Sequence, residues 1–127
     1  MAERPERRRV VRLSVPWHLS GPGGESQEGR LIDLSPEGVR IEHVEPVRDW
    51  SLCVLDLPPA LGDVRLMGEV VWSRGCGRKQ VAEGKWRVCY RSGLAFRGLT
   101  DVQRTALARA LESLRGAGDR PEGEPSS

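Results

Sequence analysis

The sequence predicts an all-β dominated fold, a six-stranded antiparallel β-barrel with one C-terminal α-helix. Apolar and polar residues alternate in about six short segments, the pattern of half-buried strands. Stretches rich in Gly, Pro, Ser and Asp separate these segments and predict turns. A helical period appears only after residue 100. Six strands with short connections and one helix favour a small barrel, with the helix on or beside an open end.

The first half of the chain predicts three strands. Residues 13–19 alternate between apolar and polar side chains, and Pro16 on the outward phase suggests a sheet edge or a bulge. A polar, Gly-rich loop follows, and a second strand covers about residues 29–35. The stretch "SPEG" interrupts the pattern, and a third strand begins near Val39.

The second half predicts three more strands and the helix. "WSLCVLDLPP" ends at a Pro pair, "VRLMGEVVWS" places Trp72 on its inward phase, and "WRVCYRSGLAF" is the sixth strand. Residues 73–85 are predicted to be a long basic hairpin loop. "TDVQ" at 100–103 fits a capping box, in which a hydroxyl and an amide satisfy free backbone donors at a helix start. Leucines follow at helical spacing as far as Leu114, and Gly116 is a natural stop.

The chain of 127 residues is long enough for one domain. We expect a flexible Arg-rich segment at residues 1–12, the barrel and helix at 13–115, and a disordered tail at 116–127, which lacks apolar residues. No apolar run approaches the roughly 20 residues of a membrane span. The N-terminus is charged where a signal peptide would be apolar, so we expect a cytoplasmic protein.

Catalytic and metal sites are not predicted. The three cysteines, at 53, 76 and 89, contain no C-x-x-C pair, so their spacing along the chain predicts neither a zinc site nor a disulfide framework. Buried free thiols are expected at Cys53 and Cys89. With only two histidines, no catalytic triad can be assembled. We therefore expect neither an enzyme nor a bound cofactor.

Positive charge is concentrated at the N-terminus. The whole chain has a net charge of +2, whereas residues 1–12 hold five arginines and two glutamates, a net charge of +3. "RRRVVR" at residues 7–12 alone contains four arginines. A local basic patch suits an anionic ligand better than it suits general nucleic-acid binding, which would need a broadly basic surface.

The stretch "DLSPEG", from Asp33 to Gly38, lies between the second and third strands. By itself it predicts a turn, since Asp and Ser bond to nearby backbone groups and Gly accepts a positive φ. Arg8 and Arg12 form R-x-x-x-R upstream, and Asp33, Ser35 and Gly38 form D-x-S-x-x-G. Together these halves resemble the bipartite motif of PilZ domains. "GEVVWSR" and "GLAFRGLTDVQRTALARAL" are similar to the fifth-strand region, closing strand and helix of that family, so the resemblance covers about residues 6–115.

The resemblance implies a non-catalytic receptor for the bacterial second messenger cyclic di-GMP, which binds on the outside of the barrel. Arg8 and Arg12 would bind phosphate and guanine, Asp33 and Ser35 would contact guanine, and Gly38 would shape the turn. Guanidinium groups suit this ligand because they can bind phosphate bidentately and stack on a base. The expected partners are cyclic di-GMP and an unidentified downstream protein that reads the changed surface, with no DNA or RNA.

Three further arginines are additional candidates for the site. Arg7 and Arg9 either contact a second phosphate or are solvated neighbours, and Arg40 either reaches the ligand face or is a solvated strand residue. Two other functions stay open. One is a nucleotide-independent PilZ-type adaptor for motility or polysaccharide machinery. The other, ranked last because most aromatic residues fall on inward phases, is an oligonucleotide-binding barrel with exposed stacking platforms.

Overall fold

The computed structural model describes residues 9–20 and 26–118. In those ranges the prediction of six antiparallel strands and one C-terminal helix is confirmed. The elements are β1 (Arg9–Leu19), β2 (Gln27–Leu34), β3 (Gly38–His43), β4 (Leu52–Asp56), β5 (Arg65–Gln80), β6 (Trp86–Phe96) and α1 (Asp101–Gly118).

The strands pair in the order β1-β2-β3-β6-β5-β4, and β4 pairs with β1, which closes the barrel. Alternation along each strand directs one face inward, where side chains such as Val15, Leu31, Ile41, Leu66 and Val70 are almost completely buried. Each strand therefore contributes to a single aliphatic core and presents its other face outward.

Helix α1 covers one side of this core. Thr100 and Gln103 form the predicted capping box: the backbone N–H of Thr100 donates to Gln103 Oε1 at 2.7 Å, and the N–H of Gln103 donates to Thr100 Oγ1 at 3.1 Å. Gln103 Nε2 also donates to the carbonyl of Arg65, which ties the helix start to β5. Leu107 and Ala110 are buried against the barrel.

Several predicted boundaries differ from the structure. β1 begins at Arg9, so residues 9–12 of the segment predicted to be flexible are in a strand, and α1 continues past Gly116 to Gly118. The predicted loop at 73–85 is mostly strand, because β5 continues to Gln80 in register with β6. Residues 74–80 are all exposed, so no alternation of buried and exposed side chains marks the strand there. The rest of the predicted N-terminal segment and tail, residues 1–8 and 119–127, lies outside the described residues.

His43 connects β3 to β6 inside the barrel wall. Its Nε2 lies 2.7 Å from Ser92 Oγ, and its Nδ1 lies 2.6 Å from the carbonyl oxygen of Glu45. Ser92 Oγ donates in turn to Ser73 Oγ at 2.8 Å. The His43 ring packs edge-on against Trp17 at 5.1 Å between centroids. Burial is the largest influence on this ring and lowers the pKa of His43 below its ordinary value of 6.5, although the Glu45 carbonyl opposes the shift.

The free energy of unfolding is expected to fall as the pH drops below about 6.5, the ordinary histidine pKa. In that range the unfolded chain binds a proton at His43 while the folded chain does not, so acid favours unfolding until the folded pKa is passed. Denaturant melts at pH 7.5 and 5.5 measure the effect. His43→Gln should reduce the pH dependence, and His18→Gln is the control. An unchanged dependence in His43→Gln would contradict the assignment.

Candidate functional site

The D-x-S-x-x-G motif forms the tight connection between β2 and β3. Ser35 closes it: its backbone N–H donates to the Gly38 carbonyl at 2.9 Å, and its Oγ accepts from the N–H groups of Glu37 and Gly38 at 3.3 and 3.2 Å. Ser35 is buried, so this hydroxyl stabilises the turn from inside.

Gly38 is required because its backbone lies too close to β6 for a side chain, which fits its expected role in shaping the turn. Its φ is not among the positive φ values of the described backbone. Gly38 instead pairs with Ala95 on β6, and a Cβ built on Gly38 would overlap the carbonyl oxygen of Leu94. The glycine therefore allows the start of β3 to lie against β6, and the prediction that it accepts a positive φ was wrong.

Asp33 is buried and bound to Arg40. The Arg40 Nε donates to Asp33 Oδ2 at 2.5 Å, and the Nη2 of the same guanidinium contacts that oxygen as well. The Asp33 side chain is 4% exposed and that of Arg40 is 43% exposed. The carboxylate thus lies behind a guanidinium that reaches the outer surface.

Strand register places four side-chain positions in one row across the outside of the sheet. Asp33 pairs with Arg40, Arg40 pairs with Gly93, and Gly93 pairs with Trp72. The Trp72 indole lies over Gly93, where a Cβ would overlap its Nε1. The row ends in a groove of about 180 Å³ lined by Ser35, Gly38, Arg40, Trp72 and Gly93 among others.

Trp72 belongs to this outer groove, although its phase along the strand predicted an inward core position. The register shifts between Val70 and Trp72, so Val71 is an extra residue that reverses the alternation. Trp72 is half-buried, and the Arg74 guanidinium carbon lies 4.9 Å from its ring centroid. A bulge cannot be read from alternation alone, which is why the sequence pattern missed this residue.

The start of β1 lies beside the second half of the motif. Arg9 pairs with Leu34 and Val10 pairs with Asp33, so residues 9–12 lie alongside the end of β2. Arg7 and Arg8 lie outside the described residues. Arg9 is the first residue of β1.

Arg12 sits in a β-bulge with a left-handed backbone, φ 61°. Two residues of β1 lie between the pairs Val10–Asp33 and Leu13–Leu31, opposite the single residue Ile32. Bulges of this kind redirect a side chain. Arg12 lines a larger open cavity of about 760 Å³, together with Arg30 and Glu42 among others. The structure therefore places Arg12 and the Ser35 groove in separate concavities.

The arrangement provides a buried carboxylate, exposed guanidinium groups and a planar indole on one outer face. A carboxylate accepts hydrogen bonds, guanidinium groups bind anions, and an indole face stacks on a planar ring. These are groups for binding an anionic, aromatic ligand.

Two other tryptophans, Trp50 and Trp86, are 66% and 63% exposed, so the expectation that aromatic residues face mostly inward was wrong for both.

Comparison with known proteins agrees with this geometry. Residues 3–113 match the PilZ domain family. The fold is similar to the PilZ domain with c-di-GMP of YcgR from Escherichia coli, with 14% identity, a TM-score of 0.66, and coverage of 91% of this chain and 94% of that chain. It is also similar to the K. pneumonia MrkH–c-di-GMP complex, with 15% identity, a TM-score of 0.65, and coverage of 92% and 54%.

A third similar structure is the Bacillus subtilis inhibitor of motility MotI/DgrA, with 11% identity, a TM-score of 0.58, and coverage of 94% of this chain and 55% of that chain. The present chain thus spans about half the length of MrkH and of MotI. No match was found among curated proteins. No helix among the described residues is both long enough and apolar enough to cross a membrane. The family match covers most of the sequence and confirms the resemblance of its motifs: the chain belongs to the PilZ domain family.

Proposed function

We propose that this chain is a cyclic di-GMP receptor that changes its surface on binding and thereby regulates a partner protein. The observation that carries the proposal is the pairing of Arg9 and Val10 with Leu34 and Asp33. This register brings the start of β1 beside the end of β2 that leads into the D-x-S-x-x-G turn, which supports a site formed by both halves of the motif. The proposed role is binding without catalysis.

The ligand carries two phosphate anions and two guanines, and the site offers a group for each. Arg8 and Arg12 would contact phosphate and guanine, with Arg7 and Arg9 as neighbouring cations. Asp33 would accept from a guanine N–H and amine. Ser35 and Gly38 hold the turn that presents Asp33.

Two side chains beside the motif complete this proposed site. Arg40 reaches the surface from the buried carboxylate and suits a phosphate or a guanine edge. Trp72 offers an aromatic face in the same groove. PilZ structures with c-di-GMP are among the similar folds, which supports this ligand class.

A nucleotide-independent adaptor is the second candidate. The observation in its favour is that Arg40 already occupies the Asp33 carboxylate, which is 4% exposed. A ligand that binds the Asp33 carboxylate must displace Arg40, whereas a nucleotide-independent adaptor would retain this ion pair. Titration with cyclic di-GMP separates the two functions.

Cyclic di-GMP is expected to bind more tightly than GTP or a linear dinucleotide, and its binding should weaken as salt rises because arginines neutralise its phosphates. Isothermal titration of the full chain at two ionic strengths measures both properties. Equal affinity for GTP, despite its greater charge, would reduce the site to a nonspecific anion patch and favour the adaptor.

Arg8→Ala and Arg12→Ala are each expected to weaken binding by about 1.5–3 kcal/mol, the range for charged hydrogen bonds. This is a loss of about 10–150-fold in affinity. Arg104→Ala, on an exposed part of α1, is a matched control that removes a charge away from the site. Normal binding by both arginine variants would mean that the R-x-x-x-R segment does not contact the ligand.

A further inference from the structure

Glu42, Cys76 and Cys89 come together on the outer side of the β3–β6–β5 sheet. One carboxylate oxygen and the two sulfur atoms all lie within 4.8 Å of one another. Cys89 is buried, Cys76 is exposed, and the Glu42 side chain is 14% exposed. These residues come from three different strands, so the barrel, and not the spacing along the chain, creates the cluster.

A second bulge in β5 brings Cys76 into place. Gly75 pairs with Tyr90 and Gly77 pairs with Cys89, so Cys76 is an extra residue between two ladder pairs. Gly77 has φ 133°, a conformation that an L side chain rarely adopts. The bulge turns Cys76 toward Cys89. The two cysteines are thirteen positions apart in the sequence, so no short sequence motif predicts that they lie together.

We propose that Glu42, Cys76 and Cys89 bind a single thiophilic divalent cation of the Zn²⁺ class. Thiolates are soft ligands that select such metals, and a carboxylate oxygen is a common third ligand. None of these three residues belongs to the nucleotide-binding motif, although Glu42 and Cys89 line the same cavity as Arg12.

The distances are close to those a metal requires. A tetrahedral zinc ion about 2.3 Å from sulfur and about 2.1 Å from oxygen holds its ligand atoms roughly 3.5–3.8 Å apart. Side-chain rotation that closes the cluster by about 1 Å therefore suffices. Exposure of Cys76 provides the entry path, and water would complete a fourth position.

The local charge also suits a dication. Two thiolates and one carboxylate carry three negative charges, and a divalent cation leaves one. Arg91 lies beside the cluster, with its Nε 3.2 Å from Glu42 Oε2, and balances that remaining charge. Its side chain is 53% exposed, so it can shift to share the carboxylate with a metal.

Cys53 is buried in the barrel core and belongs to no such group of ligand atoms among the described residues. Cys53 is therefore a matched control thiol outside the cluster.

Anaerobic titration of the reduced full-length chain with Co²⁺ tests the site. We expect one equivalent of Co²⁺ to produce a sulfur-to-metal charge-transfer band, and one equivalent of Zn²⁺ to displace it. Zn²⁺ should also raise the melting temperature, because it binds the folded chain through three strands. Cys76→Ser, at an exposed position that does not threaten folding, should weaken binding at least about tenfold, as should Glu42→Gln.

Cys53→Ala should retain the charge-transfer band at the same metal concentration. Unweakened Co²⁺ binding in Cys76→Ser, or the lack of any band with one equivalent of Co²⁺, would overturn the proposal. If the reduced chain binds no metal but exposure to a small-molecule disulfide removes two thiols and joins Cys76 to Cys89, the pair is a redox couple and the metal site is wrong.

Discussion

Gly38→Ala is expected to destabilise the fold by about 3 kcal/mol or more, at the upper end of the cost of overpacking. The added methyl would overlap the Leu94 carbonyl oxygen, which is backbone and cannot rotate away. To relieve this overlap, β3 would have to move away from β6 at the point where Ser35 closes the turn. The site would thus lose its shape together with its stability.

Urea melts of Gly38→Ala and of Gly75→Ala measure this effect. Gly75 is the matched control because it also lies in a strand and its added Cβ would meet nothing closer than 3.9 Å, from Val88. Gly75→Ala should leave the free energy of unfolding within about 1 kcal/mol of the parent, since alanine replaces a flexible glycine in open space. Equal midpoints for the two variants would show that β3 accommodates a side chain at residue 38.

Much of the fold follows from local sequence patterns. Alternation predicts the strands that have one buried face, and the Thr100–Gln103 box predicts the helix start, because both signals depend on neighbours along the chain. The outer half of β5 was missed because residues 74–80 are all exposed. The direction of Trp72 was missed because one extra residue, Val71, reverses the phase of β5.

The candidate site was predictable only as a motif. The order of Arg8, Arg12, Asp33, Ser35 and Gly38 indicates the PilZ family, which the family match confirms. The contacts among these residues depend on strand register, which sequence spacing does not contain. Arg40 was interpreted as a candidate of lower rank, yet its cross-strand pairing makes it the ion-pair partner of Asp33.

Asp33 and Arg40 are expected to differ in their effects on stability and on binding. Arg40→Ala should lower the free energy of unfolding by about 1–3 kcal/mol, because it removes a charged hydrogen bond from a carboxylate that water reaches poorly. Asp33→Ala should cost less, since the Arg40 guanidinium it leaves is 43% exposed and can be hydrated. We therefore expect Arg40→Ala to lower the free energy of unfolding more than Asp33→Ala does.

Cyclic di-GMP affinity should rank the two variants in the opposite order. Asp33→Ala removes the proposed acceptor for guanine and should cost at least about 1.5–3 kcal/mol, or about 10–150-fold. Arg40→Ala removes one cation but also removes the group that competes with the ligand for Asp33, so its loss of affinity should be smaller.

Asp56→Ala is the matched control. Asp56 accepts a hydrogen bond from Arg65 Nε at 2.7 Å across β4 and β5, in an exposed ion pair. Its loss should cost no more than about 1 kcal/mol and leave binding unchanged. Chemical melts and titrations of the three variants give both rankings. The same order in both measurements would mean that Asp33 serves the fold alone, and the receptor site would lose its central acceptor.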